Sequence, residues 1–233
     1  MANQKGNKTE NNSAFIALLV GLAGAMVAIV CSWFLRDFDA QGYVNAVLNQ
    51  HYQGEINEIA AFVDLPRADL YAQYEEGVLS FVQNNITSGV EISEELEQKF
   101  VDLGKEIFMV MQYNVKEAEK ISSKEYNVPV DYSTMDIFPV FIELVQEESQ
   151  KIYDKVEKGE YQGTVEEINA QLQDDFLNSA YVCLEQAYKE VSYAEKETMI
   201  FKVTKNEDGL YVISEEQIYD FTTKIMGFDE IQD

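Results

Sequence analysis

Residues 113–132 read YNVKEAEKISSKEYNVPVDY, and this stretch contains two predicted β-strands. From Tyr126 to Tyr132, large apolar residues alternate with polar ones, a period of two that predicts a strand with one buried face. A shorter strand is predicted to begin at Tyr113. Because proline cannot donate a ladder hydrogen bond, Pro129 indicates that the longer strand lies at a sheet edge or presents this position outward.

Helical patterns precede and follow this region. Apolar residues recur every three or four positions, and the predicted helices begin at capping residues: Asp39, Ser93, Thr164 with Glu167, and Ser214 with Gln217. A second strand pair is predicted at Met199–Val203 and Leu210–Ile213, joined by a turn at 206–209. This order predicts an α+β domain with a small antiparallel sheet of about four strands, covered on one face by helices.

An apolar segment near the N-terminus, Ala14 to Leu35, holds 22 residues without a charged side chain. At about 1.5 Å per residue, a helix of this length spans a hydrocarbon core of roughly 30 Å, so a transmembrane anchor is predicted. A cleavable secretory signal is the rival interpretation, but its apolar region is usually shorter, about 7 to 15 residues. We interpret Cys31 as a membrane-facing residue rather than a lipidation site.

Charges beside this segment predict its orientation. Lys5, Lys8 and the terminal amine precede it, whereas Arg36 alone follows it closely. Positive residues favour the cytoplasmic side of a membrane. Residues 1–13 are therefore predicted to form a cytoplasmic tail, and residues 37–233 an extracytoplasmic domain of a single-pass membrane protein.

The chain is strongly acidic, with 42 Asp and Glu, 17 Lys and Arg and a net charge of −25. This excess of negative charge disfavours nucleic-acid binding and adhesion to anionic lipids, and it leaves attraction for a basic partner open. Hydrophobic residues make up 46% of the chain, with 14 Tyr and 13 Phe. Such a content predicts a folded domain and not a disordered acidic segment.

Few residues of the sequence suggest catalysis or metal binding. His51 is the only histidine, and we interpret it as a helix-end histidine near Gly54, because no nucleophile motif accompanies it. Cys183 falls on the apolar face of a predicted helix and is interpreted as a small core residue. The sequence contains no phosphate-loop, dinucleotide-binding, C-x-x-C or H-E-x-x-H motif. We therefore predict no cofactor and no metal site, and catalytic residues remain unknown.

Acidic residues suggest further sites that their spacing does not support. The run from Asp37 to Gly42 imitates the start of a calcium loop, but its twelfth position is Leu48, where a bidentate Glu is required. Adjacent carboxylates could act as acid–base pairs, but neighbours on a helix diverge in direction. We interpret three such pairs as solvated: Glu75 and Glu76, Glu147 and Glu148, Asp174 and Asp175. The abundant tyrosines are predicted to line either a ligand groove or the edge of the core.

Three segments carry a resemblance to a known group of proteins: FDAQGYVNAVLNQHYQGEINEIAAF (38–62), YNVKEAEKISSKEYNVPVDYSTMDIFP (113–139) and VTKNEDGLYVISEEQIYDF (203–221). They resemble an uncharacterised group of Gram-positive surface proteins, small lipoproteins or single-span proteins with a helix-rich domain of unknown function. The similarity runs from Phe38 to Ile231. The resemblance implies anchoring through a lipidated cysteine just before the domain, as in many members of the group. This chain differs in having a full apolar span. The resemblance implies a cell-surface location and no catalytic residue.

Three functions are consistent with these observations. The leading hypothesis is a non-enzymatic domain, tethered outside the membrane, that binds a protein, peptide or cell-envelope component through an aromatic-lined groove between helices and sheet. A second is a cleft enzyme that uses buried carboxylates, with His51 as a candidate partner. A third is an intracellular, membrane-tethered scaffold. The first is favoured because an anchor and an acidic surface occur together without catalytic motifs.

Overall fold

A computed structural model describes residues 38–87, 90 and 92–231. The predicted tail at 1–13, the predicted anchor at 14–35 and Cys31 lie outside these residues. No helix within the described residues is both long enough and apolar enough to cross a bilayer. The described part is an α+β domain, as the sequence predicts.

Seven α-helices and five strands make up this described part. The helices are α1 (Ala40–Gln53), α2 (Ile56–Ile59), α3 (Arg67–Asn85), α4 (Glu94–Met109), α5 (Ile137–Glu157), α6 (Val165–Lys189) and α7 (Glu215–Ile225). A 3-10 turn at Phe228–Ile231 follows α7. The strands are β1 (Gln112–Val115), β2 (Glu119–Ser122), β3 (Glu125–Ser133), β4 (Glu197–Lys205) and β5 (Tyr211–Val212).

All five strands belong to one antiparallel sheet, in which β1 and β2 pair with one side of β3 and β4 pairs with the other. β5 extends the sheet beyond β4. The prediction of about four strands is close, because β1 and β2 share one position beside β3. The sequence pattern does not predict β2 as a strand of its own between β1 and β3.

Pro129 lies in an interior strand, so the sheet-edge alternative is wrong. Its carbonyl accepts the backbone N–H of Lys116 at 2.8 Å. In antiparallel strands the N–H and C=O of one residue point towards the same neighbour. The missing N–H of Pro129 therefore faces residues 116–118, which separate β1 from β2. The interruption in this part of the sheet lies opposite the residue that cannot donate.

Helix ends form where the sequence predicts them. The Asp39 side chain accepts the N–H of Gly42 at 2.8 Å, and Thr164 and Glu167 form both bonds of a capping box. Gly54 ends α1 with a φ of 67°, a left-handed conformation that favours glycine. These contacts are local in sequence, which explains why the sequence pattern predicts them well.

The last predicted cap differs in one respect. Ser214 accepts the backbone N–H of Gln217, as expected. The Gln217 side chain also reaches the edge of β4, where its amide accepts the N–H of Lys202 at 2.6 Å and donates to the Lys202 carbonyl at 3.1 Å. Gln217 therefore takes the place of a neighbouring strand at this point, because its amide offers one donor and one acceptor.

Helix α1 is the centre of the domain. It contacts β1, β3 and β4 as well as α2, α3 and α4. Val44, Ala46 and Leu48 are all fully buried although they point in different directions around the helix. Helix α1 is therefore buried on several sides, since it lies between the sheet and a second layer of helices.

Candidate binding surface

Aromatic side chains fill the layer between the helices and the sheet. Phe221 of α7 is fully buried, and its ring centroid lies 5.3 Å from that of Phe201, 5.5 Å from Tyr132 and 6.1 Å from Tyr113. These edge-on contacts are typical of an aromatic core. The sequence-based prediction of an aromatic-lined groove between helices and sheet is wrong for this layer, because the rings pack against each other.

Tyrosine hydroxyls in this layer bond within the domain. Tyr52 pairs with Thr222 at 2.7 Å, and Tyr113 donates to Asn49 at 2.9 Å. Burial raises the pKa of both phenols, so both stay protonated beyond the pH at which an exposed tyrosine ionises. Among the described tyrosines only Tyr71 and Tyr153 are exposed. The core-edge interpretation therefore holds for most of them.

His51 lies in the last turn of α1, as predicted. Its Nε2 atom is buried and has no hydrogen-bond partner among the described residues, while the ring meets Tyr52 edge-on at a centroid distance of 4.7 Å. Burial lowers the pKa of His51 from 6.5 to about 4. The imidazole is therefore neutral near pH 7, and it packs against the core rather than against a carboxylate.

The carboxylates of the described residues lie at or near the surface, and none is buried. In each adjacent acidic pair, one member is half-buried in an ion pair and the other is exposed. The ion pairs are Glu75–Lys105 at 2.7 Å, Glu148–Lys151 at 2.5 Å and Asp175–Lys155 at 3.0 Å. The neighbours do diverge as expected. An enzyme built on buried carboxylates beside His51 has no such residue within the described part.

Cys183 is buried on α6, as the sequence predicts. Burial raises the pKa of its thiol, which lowers the fraction of reactive thiolate. Asp39, the first described acidic residue of the imitation calcium loop, caps α1 instead. No group of acidic, histidine or cysteine side chains suited to a metal occurs in the described residues.

Helices α5 and α6 form an antiparallel pair that meets the core only at one end. The buried residues of α5 are confined to its start, between Ile137 and Phe141, and those of α6 begin at Leu177. None of the 35 residues from Ile142 to Phe176 is buried. We name this segment the arm; its helices contact each other and are joined by residues 158–164.

Apolar side chains on the arm are open to solvent. Tyr153 is 56% exposed, Val156 44% and Phe176 41%. An exposed tyrosine or phenylalanine is common by itself, but several large apolar residues on one helical pair are typical of an interaction surface. The arm also holds ten acidic residues and three lysines, a net charge of −7.

Phe38, the first described residue, lies at the opposite end of β3 from the root of the arm. Its ring stacks on Tyr211 at 4.1 Å and lies 5.9 Å from Tyr126, near the start of β3. The arm begins beyond the other end of that strand, where Met135 forms a β-bridge with Tyr193. At about 3.3 Å per residue, the nine residues of β3 separate these ends by roughly 30 Å.

The fold has a counterpart among solved structures. One match is the crystal structure of a "putative lipoprotein (ycdA)" from Bacillus subtilis, with a TM-score of 0.53 and 14% sequence identity. The match covers 81% of this chain and 56% of that one, so this chain spans little more than half the length of that protein. At this identity the likeness shows the fold alone. No family model and no curated protein matches the chain.

The arm is the feature that sequence reasoning missed. Thr164 was predicted to begin the second of its helices, but the departure of the two helices from the core was not predicted. One signal was available: the segment from Ile142 to Phe176 is richer in charge than the rest of either helix, with 13 charged residues among 35. Its apolar residues are nevertheless spaced like core residues, so periodicity alone cannot distinguish a buried stripe from an unpartnered one.

Proposed function

We propose that this chain is a membrane-tethered extracytoplasmic protein that binds another protein through its arm. The observation that carries this proposal is the run of 35 residues, from Ile142 to Phe176, that forms two helices without a single buried residue. Isolated helices of this length gain most of their stability from packing an apolar face. An arm that keeps such a face exposed is suited to packing against a partner.

The position of the arm supports a tethered arrangement. The sequence predicts an anchor that ends at Leu35, three residues before Phe38, whose ring is held beside Tyr126 and Tyr211. A tether this short keeps the start of β3 close to the membrane, whereas the root of the arm lies at the other end of the strand. The fold likeness to a Bacillus subtilis protein described as a putative lipoprotein also favours a cell-surface location.

Location is tested with trypsin on intact cells that make the full chain. Lys158 lies in the exposed turn at the tip of the arm, so external trypsin is expected to cut there first and leave the core intact. Immunoblots for the N-terminal tail and for the domain then report one cut between α5 and α6. The variant Lys158→Gln, which leaves the rest of the arm unchanged, is expected to lose that fragment. Protection until the cells are lysed would instead favour the intracellular scaffold.

Binding is tested by native electrophoresis of complexes solubilised from the same cells. The comparison is between the full chain and a variant in which a short turn replaces residues 145–173. Because no residue of the replaced segment is buried, we expect the variant to fold and to unfold cooperatively in urea, with a stability close to that of the full chain. The full chain should migrate in a larger complex than this variant, beyond the mass that was removed. Equal complexes would contradict a binding role for the arm.

A further inference from the structure

The face of α5 that enters the core continues as an apolar face along the arm. Phe138 and Phe141 are buried against the body. Val145 and Ile152 follow Phe138 at steps of seven residues, and Val156 lies one further turn along. Residues at these intervals lie on the same side of a helix. The apolar face of α5 therefore continues for about three turns beyond the residues that pack against the body.

Helix α6 adds an aromatic residue, Phe176, at the same level of the arm, because its neighbour Asp175 pairs with Lys155, the neighbour of Val156, at 3.0 Å. Phe176 lies one turn before Ala180, which is buried in the core, and it is itself 41% exposed. We name the apolar strip by its five residues: Val145, Ile152, Tyr153, Val156 and Phe176. From Val145 to Val156 the strip is about 17 Å long, at about 1.5 Å per residue, which matches a helix of three turns.

The charge of the arm limits what can cover this strip. Two of the three lysines are already paired within the arm, Lys151 with Glu148 and Lys155 with Asp175. The remaining acidic excess repels an anionic lipid surface, and it also repels a second copy of the same arm, which has the same net charge of −7. A partner with positive charge gains both a favourable approach and apolar contact.

We infer that the apolar strip binds an amphipathic helix of another protein, with lysine or arginine residues on both sides of its apolar face. This inference rests on the proposed function and specifies the partner. The helix lies against α5 and α6 as the third member of a bundle, at the 8–10 Å interaxial distance usual for packed helices. Its apolar residues, at helical spacing over about three turns, cover Tyr153, Val156 and Phe176, and its basic residues meet the acidic side chains of the arm.

Photo-cross-linking in cells tests this assignment on the full chain. p-Benzoyl-phenylalanine is placed at Phe176, in the strip, and separately at Asn178, which is exposed and lies two residues away on the opposite side of α6. Adducts are digested, and the cross-linked peptide is sequenced by mass spectrometry. We expect at least a tenfold higher yield from position 176 than from 178, with the adduct inside a basic amphipathic segment of another protein.

Two variants sharpen the cross-linking result. With the cross-linker at position 176, Val156→Leu should keep the adduct, whereas Val156→Glu should lower its yield about tenfold, because it places a charge in the apolar strip. Val156 is exposed and does not support the fold, so neither variant should unfold the protein. Adducts to a second copy of the chain, to lipid or to a segment that is not basic would overturn the inference. So would equal yields from the two positions, or no adduct from either. A complex that persists while its adducts map elsewhere would leave the proposed function standing.

Discussion

Phe221 and Phe176 lie on helices of the same domain, but their surroundings differ completely. Phe221 is fully buried among four other rings between the helices and the sheet, whereas Phe176 is 41% exposed on the arm. Burial of an aromatic side chain stabilises the folded state by several kcal/mol, and an exposed one contributes little. The comparison shows that the aromatic residues of the core pack against each other, while Tyr153 and Phe176 of the arm are exposed to solvent.

The largest expected effect separates these two phenylalanines. Phe221→Ala should lower the free energy of unfolding by about 3–5 kcal/mol, since it removes a ring from a packed core. Phe176→Ala should lower it by about 1 kcal/mol or less. Urea titrations of the two purified full-length variants at pH 7 measure both values. Similar losses in the two variants would contradict the division between core and arm.

Acid should destabilise the body through His51. The folded pKa of about 4 lies below the value of 6.5 expected after unfolding, so the unfolded chain binds this proton first as the pH falls. The stabilisation is present above pH 6.5 and is lost between pH 6.5 and 4, by about 3 kcal/mol at roughly 1.4 kcal/mol per pH unit.

Because His51 is the only histidine, its imidazole resonances can be followed by NMR in the intact chain. A midpoint near 4 is expected, whereas a midpoint near 6.5 would indicate an exposed ring. The variant His51→Leu should show a smaller loss of stability than the parent over the same pH range. Carboxylates that titrate there affect both chains equally and cancel in the difference.

The smallest expected effects on stability come from removing the hydroxyl group of one tyrosine in the core and of one tyrosine on the arm. Tyr52→Phe removes a buried bond to Thr222 and should cost about 1–2 kcal/mol. Tyr161→Phe removes the bond from the Tyr161 hydroxyl to Asp175, at 2.8 Å on the arm, and should cost about 0.5 kcal/mol or less, since water replaces the lost partner. Thermal unfolding of the two variants under one buffer condition measures the difference. A larger loss from Tyr161→Phe would indicate that the arm is more rigid than its exposure suggests.

Much of the local structure follows from the sequence. The caps at Asp39 and Thr164, the glycine that ends α1 and the alternation in β3 were all predicted and are confirmed. The site was predicted less well. A binding function was placed in a groove that the structure fills with aromatic rings, and the arm was not recognised as an exposed surface.

The sequence by itself determined where helices begin and where strands alternate, because these properties depend on neighbours two to four residues apart. Tertiary structure decided that β3 is an interior strand despite Pro129, that α1 is buried on several sides and that residues 142–176 leave the body. Those outcomes depend on contacts between segments far apart in the chain. An apolar stripe has the same spacing whether a neighbour covers it or not, so only the fold shows which stripes stay exposed.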